Sequence, residues 1–352
     1  MLDCEQHILY VFPGQGSQYK GMGGDLYHEY AAARRVYEKA SSVLGYDVAE
    51  LSFNDPEEQI NQTRFTQPAL LTHSIACLDV FRDLTDDRLR PAMAAGHSLG
   101  EYSALVAAKI LSFESALQIV QKRGELMAEY GEGEMAAFPL DLATIRPIAE
   151  RYHCAVAACN LPDQTVIGGL GEDLVLVERE VQERFGRKRP VRLKTEGAFH
   201  THYMFKAAQH FRPVLETADF DQSQVRVLSN FTGGYHEADG LNVRACLFFQ
   251  LFHPVLWHSN LQKALSDGAK MIIEFGGGIG AGTRPGGKRP NLEGMTKKTM
   301  RAANHEALYV AAINGQSVRK AAGFVRGSES LVEEAHGDMP NGNSLSGKGD
   351  RR

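Results

Sequence analysis

Cysteine is scarce and unpaired in this sequence. The five, Cys4, Cys77, Cys154, Cys159 and Cys246, are scattered, odd in number and form no C-x-x-C pair. That excludes a disulfide framework and reads as reduced thiols in a cytosolic protein. No apolar run is long enough to cross a bilayer, so a transmembrane helix is excluded. Positive charge is not in excess: 38 Lys and Arg face 43 Asp and Glu, a formal net charge of −5. Bulk electrostatics therefore exclude a strongly basic nucleic-acid binder and leave only local basic patches open. The start, Met1-Leu2-Asp3-Cys4-Glu5, is acidic and lacks the basic and apolar regions of a signal peptide, which sets the expectation of a cytoplasmic protein. Internal repeats are absent. What remains is ordinary for a globular protein: 43% hydrophobic and 23% charged residues in a chain of 352. That length suits one large α/β domain, or a large domain with a smaller one inserted.

The apolar pattern divides the chain. His7–Phe12 and Pro91–Ala95 read as short buried strands, each running into a turn-rich loop. Helical patterns cover Tyr27–Leu44, Pro68–Leu84, Glu101–Ala108 and Phe113–Tyr130. The middle then reads strand (Met135–Leu140), helix (Ala143–Tyr152), strand (Cys154–Cys159), strand (Thr165–Gly168), helix (Asp173–Phe185), strand (Pro190–Lys194). That β-α-β-β-α-β order is ferredoxin-like. Strands at Val225–Ser229 and Met271–Phe275 and helices near Val243–Phe252 and His258–Ser266 resume the first style. The expected architecture is an α/β large subdomain over 1–129 and 196–326, with a ferredoxin-like subdomain inserted at 130–195. Gly276–Asn291 reads as a flexible loop and 327–352 as a disordered tail.

One pentapeptide carries chemistry. Gly96-His97-Ser98-Leu99-Gly100 fits G-x-S-x-G, between an expected strand and an expected helix. A sharp turn there exposes the serine hydroxyl, and the helix N-terminus offers free N–H groups to negative charge. A serine needs a base. Of 13 histidines, His200 is best placed, where the chain returns from the insertion. His202, two residues on, would make a metal pair, but no carboxylate or cysteine accompanies it. The site therefore reads as metal-free, with no bound cofactor.

Several stretches share one family's order and spacing. They are Phe12-Pro13-Gly14-Gln15-Gly16-Ser17-Gln18, Gly96–Glu101, Gln121-Lys122-Arg123-Gly124, Met135-Ala136-Ala137 and Ala198-Phe199-His200. Ser229-Asn230, Gln250 with Pro254-Val255 and Trp257, and Glu274-Phe275-Gly276 continue the series. From about residue 8 to 300 the chain resembles the malonyl-CoA:acyl carrier protein transacylases of fatty acid synthesis and the related stand-alone polyketide acyltransferases. The resemblance implies a hydrolase-like α/β core with a ferredoxin-like insertion. It implies Ser98 as nucleophile, His200 as base, and the Gln15 and Leu99 N–H groups as oxyanion hole. A backbone carbonyl at Gln250 would orient the imidazole in place of a carboxylate. Arg123 would grip the free carboxylate of a malonyl thioester, and Phe199 would leave little room for a methyl branch.

The implied reaction takes malonyl from malonyl-CoA, the substrate, to a separate acyl carrier protein, with no nucleic acid or membrane partner. The alternative is an acyl hydrolase clearing carrier proteins. A lipase-type esterase would need a triad acid, and a non-enzymatic docking module would leave Ser98, Arg123 and His200 unexplained. Carrier proteins are acidic, so docking needs a local basic patch: Arg187, Lys188 and Arg189 with Arg192 and Lys194, or secondarily Lys288 and Arg289. After Gly276 the sequence departs from the family's Pro-Gly and short apolar run into a Gly/Arg/Lys-rich insertion.

Overall fold

β-Branched and aromatic residues dominate Ile8–Phe12, and all five are buried, as befits a strand covered on both faces. The computed structural model describes residues 7–324; Cys4 and the tail expected at 327–352 lie outside the described residues. Its strands are β1 (Ile8–Phe12), β2 (Met93–Gly96), β3 (Glu134–Phe138), β4 (Ala155–Leu161), β5 (Gln164–Gly169), β6 (Val191–Leu193), β7 (Arg226–Leu228), β8 (Met271–Phe275) and β9 (Leu308–Ala312). Its α-helices are α1 (Gly24–Glu29), α2 (Ala31–Leu44), α3 (Val48–Phe53), α4 (Thr63–Leu84), α5 (Gly100–Ala107), α6 (Phe113–Tyr130), α7 (Leu142–Arg151), α8 (Gly171–Phe185), α9 (Phe205–Glu216), α10 (Gly240–Gln250), α11 (Trp257–Ser266) and α12 (Glu293–Ala302).

Five strands form a parallel sheet in the order β7-β2-β1-β8-β9. The strand ends at Phe12 and Gly96 are in register, so the loops that follow them emerge side by side. The other four form an antiparallel sheet, β4-β5-β3-β6, connected β3-α7-β4-β5-α8-β6. This is the ferredoxin-like insertion in an α/β core. Its strands alternate faces with period two. Met135 and Val166 join the large core, while Ala136, Phe138 and Ile167 join a second core with Ile145, Ile148, Val177 and Val181. Val255 locks the two parts together: its N–H donates to Ala157 O at 3.0 Å, and its carbonyl accepts from Cys159 N–H at 2.8 Å.

Four expectations need correction. The helix expected from Pro68 starts five residues earlier, at Thr63, where the Glu196 carboxylate accepts the Thr63 N–H at 2.6 Å and caps the first turn. The Tyr27–Leu44 helix is two helices, broken at an extended Tyr30 where Arg34 gathers the carbonyls of Tyr27 and His28. Elements α3, α9, α12 and β9 were not expected at all. α12 is strongly polar and carries no clear apolar signal, whereas β9 is a half-exposed edge strand on a continuous apolar run, Leu308–Ala312, that the expected elements left out. Gly276–Asn291 is tied down rather than free, with a bridge between Ile279 and Arg289 and a short 3-10 turn at Pro285–Gly287.

Candidate active site

The turn after β2 is set by glycines. A Cβ on Gly96 would fall 1.8 Å from the Gly100 carbonyl carbon, and one on Gly100 would fall 2.1 Å from Phe12 O. Ser98, between them, has φ 52°, a left-handed conformation that serine keeps only when held. Asn230 holds it: its side-chain oxygen accepts the Ser98 N–H at 2.6 Å, and its amide nitrogen donates to Gly96 O at 2.7 Å.

Ser98 Oγ lies 2.6 Å from His200 Nε2, and His200 Nδ1 lies 2.7 Å from the main-chain oxygen of Gln250. A carbonyl only accepts, so Nδ1 carries the proton and Nε2 presents its lone pair to the serine. Burial, and then the Arg123 charge, lower the His200 pKa to about 3. The imidazole is therefore neutral and ready to accept a proton at neutral pH.

Arg123 comes from α6 and is buried. Its guanidinium donates to Gln67 Oε1 at 2.8 Å, to Gln250 Oε1 at 3.0 Å and to Ser98 Oγ at 3.3 Å. Its Nε has no partner, and no carboxylate forms an ion pair with it among the described residues. The nearest acid in the network is Glu101, reached through Gln250: Gln250 Nε2 donates to Glu101 Oε2 at 2.8 Å. Glu101 is itself matched by His236 at 2.8 Å. Burial alone would lower the His236 pKa, but the Cys246 thiol and the Glu101 carboxylate raise it above the ordinary histidine value. Arg123 is thus a buried cation held by neutral amides and aimed at the serine.

The Gln15 and Leu99 backbone N–H groups donate to no acceptor among the described residues and line the same cleft. A Cβ on Gly14 would meet His97 O at 2.4 Å, so Gly14 lets the two loops approach. The cleft holds about 650 Å³ and is walled by both subdomains. Phe199 is buried in its wall. His97 is engaged elsewhere, 2.8 Å from Asn160 Oδ1 and edge-on to Trp257. His202 packs on Tyr203.

Of the expected basic patch, Arg187, Lys188 and Arg189 are exposed at the α8–β6 turn, and Lys194 is at the cleft. Arg192 is not available, because Glu134 and Glu178 pair with it. Gln67, Asn230, Glu101 and His236 received no role from the sequence. Ser229-Asn230 and Glu101 stand within the family-like stretches, which was their only signal. Gln67 and His236 carry none.

The comparisons with known proteins place the chain in a family. Residues 9–276 match the family model described as an acyl transferase domain. A malonyl CoA-acyl carrier protein transacylase of Bacillus subtilis (strain 168) is 37% identical over 280 residues, 77% of this chain and 87% of the relative. The polyketide biosynthesis malonyl CoA-acyl carrier protein transacylase BaeC of Bacillus velezensis is 36% identical over 278 residues, 77% of this chain and 93% of its own. The crystal structure of a malonyl CoA-acyl carrier protein transacylase from Clostridium perfringens superposes with a TM-score of 0.81 at 28% identity, covering 93% of this chain and 99% of the other. The chain belongs to the acyl transferase family.

Proposed function

We propose that this enzyme moves a malonyl group from malonyl-CoA to the phosphopantetheine thiol of an acyl carrier protein, by way of malonyl-Ser98. One observation carries the reading: a buried arginine without an anionic partner lies 3.3 Å from the serine oxygen. A free carboxylate on the acyl group completes that site.

In the first half-reaction His200 Nε2 takes the Ser98 proton as Oγ attacks the thioester carbonyl. The N–H groups of Gln15 and Leu99 receive the oxyanion. The carbon–sulfur bond breaks, and His200 returns the proton to the departing CoA thiolate. In the second half His200 takes the carrier thiol's proton, sulfur attacks the ester carbonyl, the bond between the acyl carbon and Ser98 Oγ breaks, and His200 returns the proton to Ser98 Oγ. The Gln250 carbonyl keeps the tautomer throughout but offers an imidazolium less than a carboxylate would.

Incubation with malonyl-CoA should add one malonyl mass to the intact protein, on the Ser98 peptide. Ser98→Ala should acquire none, and an unchanged adduct in that variant would sink the assignment. The adduct should persist until a carrier thiol is supplied. Rapid loss to water would favour the hydrolase alternative, against which Arg123 stands.

Carrier docking at Arg187, Lys188 and Arg189 belongs to the same proposal. Lys194 at the cleft lies five steps along the chain from Arg189, a reach of at most about 17 Å. Reversing the three to Glu should raise the carrier KM at low salt and leave self-acylation unchanged. An unchanged carrier KM would move docking elsewhere. A reducing, cytoplasmic location suits the free thiols of Cys77, Cys154, Cys159 and Cys246.

A further inference from the structure

A glycine-rich segment that carries three cations stands beside the cleft. The family match ends at residue 276, and residues 277–290 carry Arg284, Lys288 and Arg289 with no acidic residue. The loop is braced at both ends. Gly277 N–H donates to His73 Nδ1 at 3.0 Å, and Gly278 N–H to Ser17 O at 2.8 Å. Ile279 and Arg289 exchange backbone hydrogen bonds of 2.9 and 3.1 Å. Beyond them, the Glu274 carboxylate accepts the N–H groups of Asn291 at 2.8 Å and Leu292 at 3.0 Å. Gly16 and Gln18, either side of Ser17, line the cleft, and so do Asn291 and Leu292. The neck of the loop therefore stands on the cleft rim.

Its cations are neighbours along the braced backbone: Gly287 N–H donates to Arg284 O and Lys288 N–H to Pro285 O, both at 3.0 Å. Lys288 Nζ donates to Gly280 O at 2.8 Å and sits 4.6 Å from the Tyr19 ring centroid. Arg289 Nε lies 3.8 Å from where a Cβ on Gly280 would be, and Gly280 has φ 108°, which L side chains rarely adopt. The ground beside Arg289 is thus bare by construction. Arg284 and Arg289 are exposed, and none of the three cations has an ion-pair partner among the described residues. Glu293, the next acid along the chain, is taken by Lys297. Like charges repel, so a braced loop that keeps them together maintains a positive field at the rim.

We propose that Arg284, Lys288 and Arg289 receive the phosphate groups at the far end of a phosphopantetheine thioester, foremost those of coenzyme A, while its acyl end occupies Ser98. The proposal rests on the acyl-transfer reading above. A guanidinium fork matches a phosphate bidentately, and a lysine adds a point charge. Coenzyme A brings a diphosphate and a further phosphate, whereas a carrier arm brings one phosphodiester, so the donor half-reaction should feel the loop more.

The test compares acylation of Ser98 by malonyl-CoA and by malonyl-N-acetylcysteamine, a thioester without phosphate. Arg284→Ala with Arg289→Ala should raise the KM for malonyl-CoA about 5–10-fold at low salt, with kcat unchanged. The phosphate-free donor should be unaffected, and the gap should close as salt rises. Lysine at both positions should restore most of the affinity. Equal losses with both donors, or no change with either, overturn the assignment. A shift confined to the carrier KM also overturns it and makes the loop a protein-docking surface. Wild-type labelling of Ser98 is read in the same experiment: its failure refutes acyl transfer itself, whereas labelling with unshifted variants refutes this inference alone.

Discussion

Gln250 serves Arg123 with its side chain and His200 with its backbone. Its Oε1 accepts from the guanidinium at 3.0 Å, and its main-chain oxygen stands 2.7 Å from His200 Nδ1. In the proposed mechanism the residue that orients the base therefore also positions the cation for the substrate carboxylate. Truncating Gln250 separates the roles, because the backbone carbonyl survives. Gln250→Ala should keep His200 in place yet raise the KM for malonyl-CoA about 10-fold, more than that for acetyl-CoA. An equal loss with both donors would show that the side chain acts through the fold alone.

Arg123→Ala should lower kcat/KM for malonyl-CoA by a factor on the order of 10², the worth of one buried charge-assisted contact. Relative activity toward acetyl-CoA should rise. Wild-type enzyme that used both donors equally would contradict the carboxylate role.

The pH profile should carry the mark of burial. Burial and Arg123 hold His200 at about 3, and the neutral form is the base of the proposed mechanism. Its acid limb in kcat/KM should therefore fall well below the ordinary histidine value near 6.5. Arg123→Gln removes the positive neighbour, so the limb should move up in pH. Acetyl-CoA is the substrate for both proteins, since its acyl group does not titrate. A wild-type limb at the ordinary value would exclude this electrostatic arrangement.

Phe199 is buried in the cleft wall beside the base. Phe199→Ala should improve the kcat/KM ratio of methylmalonyl-CoA to malonyl-CoA by about 10-fold, the scale of one methyl group in an apolar pocket. No change in that ratio would place the selectivity elsewhere in the wall.

Glu274 makes stability depend on pH. Burial lifts its pKa from 4.5 to about 7, against the hydrogen bonds of Tyr309, Leu292 and Asn291. Between those values the folded protein keeps a proton that the unfolded chain has lost. The group's contribution therefore falls as pH rises through that window, by at most about 3 kcal/mol. Glu274→Gln removes the slope, so wild type should lose stability relative to the variant from pH 4.5 to 7. Urea unfolding across that range measures it, and a slope of the opposite sign would be decisive against the assignment.

Part of this site was legible because its signals are local. Gly96 and Gly100 bracket Ser98 within one turn, and the apolar run Ile8–Phe12 reaches Pro13 and Gly14 directly. The β-α-β-β-α-β rhythm likewise needs only short-range periodicity. His200 was harder: one of 13 histidines, it stood out by its position after the insertion and by the family-like Ala198-Phe199-His200 stretch.

The rest depends on pairs far apart in the chain. The amino-acid sequence by itself determined all the strands but β9, the glycine-bracketed turn and the types of group available, because backbone sterics and apolar spacing act over a few residues. Tertiary structure alone decided that Gln67 meets Arg123 across 56 residues, that Asn230 braces Ser98 across 132, and that His236 pairs with Glu101 across 135. It also decided that Arg192 is taken by Glu134 and Glu178 and that the glycine-rich segment after residue 276 is anchored at the cleft. No spacing rule encodes such contacts. They exist because packing helices and loops around each sheet brings distant polar groups together, and those taken out of water must find a partner.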